Sequence, residues 1–244
     1  MFGKNPIRKQ DLSSPGCLYV QELFSTIQGE GPFQGTPCVF IRLWGCNLKC
    51  FWCDTDFESN REPVDVPIIM SRVRDAFQEM GKIRPGKRPL VVITGGEPFR
   101  QDLTSLLNRL GHEGYLTQIE TNGTLWIEGL EVFIAREDLV LVCSPKTGKV
   151  HRMINEWCDH WKYIIDADHC SPDDGLPVVS TQVENTHLEI FKPPEIADTI
   201  WVQPLDMDHV DFNITTKNLK HTADIAMKYG YRLCLQQHKI VGLP

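Results

Sequence analysis

The stretch CVFIRLWGCNLKCFWC, residues 38–53, is a short aliphatic run that leads directly into three closely spaced cysteines. Its first half alternates apolar and other side chains and is rich in β-branched and aromatic residues, which is typical of a β-strand. Similar runs recur along the chain, most of them separated by longer amphipathic segments. This order predicts an α/β protein in which parallel strands are joined by helical crossovers. The further predicted strands are residues 89–96, 114–121, 139–146, 161–168, 199–206 and 231–238.

Apolar residues at helical spacing predict three helices, at residues 66–81, 102–114 and 221–231. The first two patterns end at glycine, as helices commonly do. The connections after residues 139–146 and 161–168 are less clearly helical. We therefore expect those two crossovers to be short or irregular.

Each predicted strand ends in polar residues, in motifs such as TGGEP, ETNG and QPLD. The carboxyl ends of parallel strands meet at one edge of a sheet, where α/β proteins bind ligands. Alternation places Arg42 on the face opposite Val39, Ile41 and Leu43, so that it points into the barrel. A packed barrel interior would be mostly aliphatic, so a polar one predicts a wide or incomplete barrel that holds a polar ligand. A buried Arg–Glu pair with a structural role is the alternative. The same alternation turns inward Thr94, Glu120, Ser144 and Gln203.

The composition is that of an ordinary globular protein, with no apolar run of membrane length. We expect one domain over residues 19–244, preceded by a flexible N-terminal extension at residues 1–18. The N-terminus lacks a hydrophobic segment that would direct secretion, which favours a reducing cytoplasm. The formal charge of −7 disfavours direct nucleic-acid binding and favours a small-molecule substrate.

Three of the nine cysteines, Cys46, Cys50 and Cys53, form a C-x3-C-x2-C group. The other six lie in apolar or strand-like surroundings, where a thiol usually acts as a small buried hydrophobe. A structural zinc site prefers four ligands, and a disulfide would leave one thiol over. An iron–sulfur cube normally takes four thiolates, so three would leave one iron open to another ligand.

The cysteine group resembles the signature of the radical S-adenosylmethionine (SAM) enzymes, which usually have an aromatic residue where Trp52 stands. The TGGEP segment, residues 94–98, strengthens the resemblance, because the family places a GGE-type segment at the next strand end. The resemblance implies the α/β fold of a radical SAM core, an incomplete TIM-like barrel of about six parallel strands with helices outside. It also implies a [4Fe-4S] cluster on Cys46, Cys50 and Cys53, whose fourth iron chelates SAM. The reduced cluster would cleave SAM to a 5′-deoxyadenosyl radical.

Three further stretches are similar to the 7-carboxy-7-deazaguanine synthase family: ELFSTIQGEG at 22–31, CDT at 53–55 and LQQHKIVGLP at 235–244. This resemblance runs from about residue 19 to the end of the chain. It implies a magnesium-dependent carbon–nitrogen lyase that converts 6-carboxy-5,6,7,8-tetrahydropterin to 7-carboxy-7-deazaguanine with loss of ammonia, on the route to queuosine. In that family hydrogen abstraction at C6 starts the rearrangement, and SAM is regenerated at the end.

The same resemblance implies a set of site residues. Arg42 and Glu120 would be catalytic with the cluster cysteines, and the Arg42 fork suits a substrate carboxylate. Thr55 would bind magnesium, whereas without the resemblance it reads as a turn residue. The substrate-binding residues would be Ile27, Gln28, Gly29, Glu30, Arg42, Thr94, Glu120, His238 and, through a terminal carboxylate, Pro244. The SAM-binding residues would be Trp52, Cys53, Asp54, Gly96, Ser144, Pro145, Lys146, Gln203, Pro204, Leu205 and Asp206.

Two other functions share part of this pattern. A glycyl-radical activating enzyme has the cysteine group and the GGE-type segment, but it needs an open docking face rather than polar residues around a small molecule. The other is a non-catalytic iron–sulfur protein, which SAM cleavage by the reduced protein would exclude. The resemblance also implies a flavodoxin-type or similar reductant, a homodimer and no membrane partner. The sequence has QQHK at 236–239 where some relatives have THK, and the loop at 57–64 matches nothing assigned.

Overall fold

The computed structural model describes residues 5–53, 55–81, 86–182, 189–193, 199–207 and 212–244. Nine strands in this part of the chain form a single sheet. They are β1 (Cys17–Ile27), β2 (Pro37–Leu43), β3 (Glu62–Asp65), β4 (Leu90–Gly95), β5 (Leu116–Thr121), β6 (Leu139–Cys143), β7 (His160–Ile165), β8 (Ile200–Pro204) and β9 (Arg232–Leu233).

The sheet has the order β3-β1-β2-β4-β5-β6-β7-β8-β9, and every neighbouring pair from β2 to β9 is parallel. Six of these parallel strands have five residues or more, and β9 has only two. Strands β3 and β9 lie at opposite edges, so the sheet stays open. The predicted α/β fold with an incomplete barrel of about six parallel strands is therefore confirmed.

Helices follow most of the strands. The two helices predicted in the first half of the chain, at residues 66–81 and 102–114, lie where they were expected. The segment after β6 holds only a six-residue helix, and the described residues between β7 and β8 hold none, as expected for irregular crossovers. None of the described helices is long and apolar enough to cross a membrane. The helices are α1 (Val66–Met80), α2 (Thr104–His112), α3 (Glu131–Ala135), α4 (Arg152–Trp157), α5 (Phe212–Tyr229) and α6 (Gln237–Ile240).

The two faces of the sheet divide as strand alternation predicts. On β2, Val39, Ile41 and Leu43 are 0% exposed and belong to the main core with the helices. The intervening Phe40 and Arg42 face the other side, where a cavity lies. Burial of the aliphatic face holds the helices on the sheet, and it leaves the opposite face free for polar residues.

Three parts of the structure differ from the sequence-based expectations. Strands β1 and β3 were not predicted, and β1 pairs antiparallel with both β2 and β3. The predicted strand at residues 231–238 shrinks to β9, because the chain turns into α6. Within the N-terminal extension, Ile7 bridges to Cys46 and Arg8 N donates to Cys46 O at 2.7 Å, while the Ile7 side chain stays 63% exposed.

Candidate active site

A cavity of about 760 Å³ lies at the carboxyl ends of the parallel strands. Polar side chains from strand ends that are distant in sequence converge on it, as the fold requires of a ligand site. Most of the predicted site residues line this cavity. They are Gln28, Glu30, Arg42, Cys46, Cys50, Trp52, Cys53, Thr55, Thr94, Gly96, Glu120, Ser144, Lys146, Gln203, Pro204, Leu205, Asp206, His238 and Pro244.

Three predicted residues, Ile27, Gly29 and Pro145, do not line the cavity, and Asp54 lies outside the described residues. Ile27 ends β1 opposite Pro37. Gly29 lies against the ring of His238, where a Cβ atom would be 2.1 Å from Nδ1. Its role here is to make room for the imidazole rather than to form the wall.

The only thiols on the cavity wall among the described residues are those of Cys46, Cys50 and Cys53. Cys46 is only 8% exposed. Its burial, and to a smaller extent the nearby Glu97 carboxylate, raises the pKa of the Cys46 thiol to about 12. A thiol of this kind becomes a thiolate when a metal displaces its proton. Its sulfur already accepts a hydrogen bond from Leu48 N at 3.4 Å.

The donor set fits an iron–sulfur cluster better than a single ion. Within the described ranges, no three His, Cys, Asp or Glu side chains converge on one point. A [4Fe-4S] cluster does not need such convergence, because each cysteine binds a different iron at its own corner. Cys46, Cys50 and Cys53 would hold three irons, and SAM would occupy the fourth.

The TGGEP segment holds the cysteine loop against the end of β4. Gly96 lies so close to the loop that a Cβ atom would be 2.1 Å from Gly45 O and 2.8 Å from Cys46 N. The Glu97 carboxylate is fully buried and accepts hydrogen bonds from Phe99 N (3.0 Å), Asn122 N (2.7 Å) and the Thr121 hydroxyl (2.8 Å). Burial raises the pKa of Glu97 to about 7, although these donors oppose the rise. Glu97 therefore braces the strand ends and does not line the cavity.

The turn after β6 lies beside the cysteine loop. The Lys146 ammonium donates to the Ser144 hydroxyl and lies 5.6 Å from the centre of the Trp52 ring. Burial lowers the pKa of Lys146. The turn after β8 brings Asp206 to the same cavity, where its carboxylate pairs with Lys239 at 2.7 Å.

A buried network of charges lies on another part of the wall. The Lys162 ammonium pairs with Glu30 Oε2 and lies 3.7 Å from Glu120 Oε2. Gln236 Nε2 donates to Glu30 Oε1 at 2.9 Å. Gln28 connects the two acids, because its Nε2 donates to Glu120 Oε1 at 3.1 Å and its Oε1 accepts from Glu30 N at 3.0 Å. Two carboxyl groups thus share one ammonium on this part of the wall.

Burial by itself would raise the pKa of Glu30, but Lys162 and the hydrogen bond from Gln236 outweigh it and hold that pKa at about 2. Burial would likewise lower the pKa of Lys162, and the charges of Glu120 and Glu30 raise it above its usual value instead. Lys162 was missed in the sequence. Alternation could have found it, because Trp161 and Tyr163 fill the core while Lys162 and Ile164 face the cavity.

Arg42 approaches the cavity from β2. Its Nε donates to Glu22 Oε1 at 2.6 Å, and its guanidinium lies 5.5 Å from the centre of the Phe24 ring. The Glu22 bond uses one of the five guanidinium N–H donors. Both contacts orient the fork, and the side chain is only 21% exposed.

The C-terminal segment closes part of the wall. The Thr26 hydroxyl donates to Pro244 O at 2.8 Å, which ties the segment to β1. Burial lowers the pKa of His238, so its imidazole is neutral at physiological pH. Thr55 lies near the cysteine end of the cavity, where its backbone O accepts from Asn5 Nδ2 at 3.1 Å.

Comparisons with known proteins agree with this geometry. Residues 43–167 match the model of the radical SAM superfamily. The chain is 42% identical over its full length to the whole 7-carboxy-7-deazaguanine synthase of Rhodospirillum rubrum. It is 37% identical, again over its full length, to 96% of the enzyme with the same name from Rickettsia prowazekii.

A solved structure has the same fold. The crystal structure of QueE from Escherichia coli aligns with a TM-score of 0.60 at 22% identity, covering 90% of this chain and 93% of that one. Membership of the radical SAM superfamily implies a [4Fe-4S] cluster and SAM, which fit the three thiols on the cavity wall. The sequence relatives, the superfamily match and the site together give one conclusion: the chain belongs to the 7-carboxy-7-deazaguanine synthase family of radical SAM enzymes.

Proposed function

We propose that the protein converts 6-carboxy-5,6,7,8-tetrahydropterin to 7-carboxy-7-deazaguanine with loss of ammonia. One observation carries the proposal: a single cavity has three thiols at one end, and Arg42, Glu30 and Glu120 elsewhere on its wall. The cluster and SAM supply, when bound, the 5′-deoxyadenosyl radical that removes the C6 hydrogen. The rest of the wall binds and orients the pterin so that C6 faces that radical.

The charges of the wall suit the two ends of this substrate. The pterin carries N–H donors on its guanidine-like edge, and Glu120 and Glu30 offer carboxylate acceptors, of which Glu30 is kept ionised by Lys162. The substrate carboxylate requires a cation, and the planar fork of Arg42 can bind it through two parallel bonds. The distribution of charge thus favours one orientation of the ring.

We further propose that magnesium acts with Thr55. The Thr55 hydroxyl is a hard oxygen ligand, and a carboxylate of the substrate with water would complete an octahedral shell. The position of Thr55 on the cavity wall, two residues after Cys53, supports this role. In this proposal the magnesium ion has no nucleophilic or redox role. It would anchor the substrate carboxylate that Arg42 also contacts.

The partners are proposed on family grounds alone: a flavodoxin-type or similar reductant, and a second copy of the chain in a homodimer. Sedimentation velocity tests the dimer, and reduction of the cluster by flavodoxin tests the reductant. A glycyl-radical activating enzyme is not favoured, because the converging charges fit a small polar molecule rather than a backbone glycine.

The experiment is product analysis. Protein reconstituted anaerobically with iron and sulfide is incubated with SAM, dithionite, magnesium and the carboxypterin, and the products are identified by mass spectrometry. We expect 7-carboxy-7-deazaguanine and ammonia in equal amounts. SAM cleavage that leaves the pterin unchanged would contradict the proposed substrate while leaving the radical SAM assignment in place.

A further inference from the structure

The irregular segment that follows β7 returns to the cysteine loop at Ser180, Thr181 and Gln182. These three residues belong to no strand or helix, yet Ser180 and Thr181 are only 2% and 4% exposed. We call residues 180–182 the strap. No pattern in the sequence singles it out, and the reaction proposed above assigns it no role.

The strap is bonded to the cysteine loop and to the turn after β6. Phe51 N donates to Thr181 O at 3.0 Å, and Lys49 N donates to Gln182 Oε1 at 3.1 Å. Thr181 N in turn donates to Lys146 O at 3.4 Å. Backbone groups on both sides of Cys50 are thereby fixed by the strap, which determines where the Cys50 sulfur lies.

Two side chains of the strap also donate directly to that sulfur. The Thr181 hydroxyl lies 2.9 Å from Cys50 Sγ, and Gln182 Nε2 lies 3.3 Å from it. Gln182 Nε2 also donates to Thr181 Oγ1 at 2.8 Å, which leaves the hydroxyl proton for an acceptor other than the amide. Two acceptors lie within reach of that proton, and the sulfur is closer than Lys146 O, which lies at 3.4 Å. A metal-bound thiolate has no proton of its own, so it can only accept these bonds.

The hydrogen bonds to the Cys46 sulfur are longer than those to the Cys50 sulfur. Cys46 Sγ accepts from a backbone amide, Leu48 N, at 3.4 Å and from Asn122 Nδ2 at 3.9 Å. Cys53 Sγ donates to the carbonyl oxygen of Thr55 at 3.8 Å. The side-chain donors of Cys50, at 2.9 Å and 3.3 Å, are both closer than the Asn122 amide is to Cys46.

We propose that Thr181 and Gln182 are positioning residues that hold the Cys50 thiolate and raise the reduction potential of the cluster. Reduction adds one electron, and therefore one negative charge, to the cluster and its sulfurs. Donors aimed at a sulfur stabilise the more negative state, and hydrogen bonds to the sulfurs are among the factors that set such potentials. The inference rests on the cluster that the family implies, and it is independent of the pterin substrate.

The test is a potentiometric titration of the reconstituted cluster, followed by EPR, without SAM or pterin. Thr181→Val removes the hydroxyl and keeps the shape of the side chain. We expect its midpoint potential to be more negative than that of the wild type, and Thr181→Ser to restore the wild-type value. Thr147→Val is the matched control, because the Thr147 hydroxyl is exposed and bonds to Lys149 O at 2.9 Å rather than to a sulfur.

Iron and sulfide content is measured on every variant, so that potentials are compared only at equal cluster occupancy. Equal potentials in Thr181→Val, Thr147→Val and the wild type would overturn the proposal, as would a Thr181→Ser potential equal to that of Thr181→Val. If Thr181→Val holds no cluster, Gln182→Met decides: a more negative potential supports the proposal, and an unchanged one overturns it. Failure to make the deazaguanine product would not change any of these readings.

Discussion

At the scale of single residues, the site depends on charged side chains that other charges hold in place. Glu22 orients Arg42, and Lys162 keeps Glu30 ionised. Strand alternation was enough to place Arg42 and Glu120 on the cavity wall, and the same rule applies to Lys162. It could not find Thr181 and Gln182, because an irregular segment has no periodicity from which a direction can be read.

Arg42→Ala tests the carboxylate contact. Charge-assisted hydrogen bonds contribute about 1.5–3 kcal/mol, so we expect the KM for the carboxypterin to rise roughly 10- to 100-fold. Cluster content and SAM cleavage without substrate should stay near wild type, because the Arg42 guanidinium contacts Glu22 and Phe24 on β1 rather than the cysteine loop. Glu22→Gln is the control, since its amide oxygen still accepts from Arg42 Nε. Unchanged pterin affinity in Arg42→Ala would remove this residue from the site.

Thr55→Ala tests the magnesium ligand. Loss of the hydroxyl removes one hard oxygen from the proposed shell, so the magnesium concentration that gives half-maximal product formation should rise at least several-fold. Thr55→Ser keeps the oxygen and should follow the wild-type magnesium curve. Identical curves for Thr55→Ala and wild type would exclude the hydroxyl as a ligand.

At the scale of elements, the cysteine loop is positioned by contact with the end of β4. Gly95 has a φ of +128° and Gly96 lies against Gly45, so the TGG motif has a steric role besides any contact with SAM. The aliphatic strands of this region were predictable because they are buried on the helix side. Strand β1 was missed because Gln21, Glu22 and other polar residues interrupt its apolar pattern.

Gly96→Ala should displace the start of the cysteine loop. Its Cβ would meet backbone atoms, which cannot rotate away as a flexible side chain could. We expect the free energy of unfolding to fall by about 1–3 kcal/mol in urea titrations, with less iron bound after reconstitution. Gly16→Ala is the control, since no atom lies within 4 Å of its Cβ position. Equal iron content and stability in the two variants would refute a steric role for Gly96.

At the scale of the whole molecule, the buried charge network joins distant parts of the sheet. Glu30 follows β1, Glu120 lies at the end of β5, Lys162 is in β7 and Gln236 follows β9. The network therefore contributes to global stability as well as to the site. The acids of this network were predicted and its cation was not: family motifs contain Glu30 and Glu120, whereas no motif contains Lys162.

Lys162→Met leaves the buried Glu30 carboxylate and the half-buried Glu120 carboxylate without their cation, so we expect a loss of about 3–5 kcal/mol in the free energy of unfolding at pH 7. The pKa of Glu30 is held at about 2, below its usual value of 4.5, so its stabilising contribution is present above pH 4.5 and is lost as pH falls toward 2. The raised pKa of Lys162 makes its contribution complete below its usual pKa of 10.5 and lost as pH rises beyond it.

The measurement is urea unfolding of wild type and Lys162→Met from pH 7 down to pH 3. The gap in stability between them should narrow on acidification for two reasons: protonation relieves the unpaired acids in the variant, and below pH 4.5 the unfolded wild type takes up a proton that Glu30 in the folded wild type does not. Lys149→Met, at an exposed position, controls for loss of a positive charge. A gap that is constant with pH would show that the pair does not stabilise the fold through its charges.

The central claim for the whole molecule is that three cysteines leave one corner of a cluster free to bind SAM beside the pterin cavity. The most direct measurement is the EPR spectrum of the anaerobically reconstituted, dithionite-reduced protein before and after SAM is added. We expect a reduced [4Fe-4S] signal whose g values shift when SAM binds. Zinc in place of iron, or an iron–sulfur signal that SAM leaves unchanged because a fourth protein ligand fills the open corner, would contradict it.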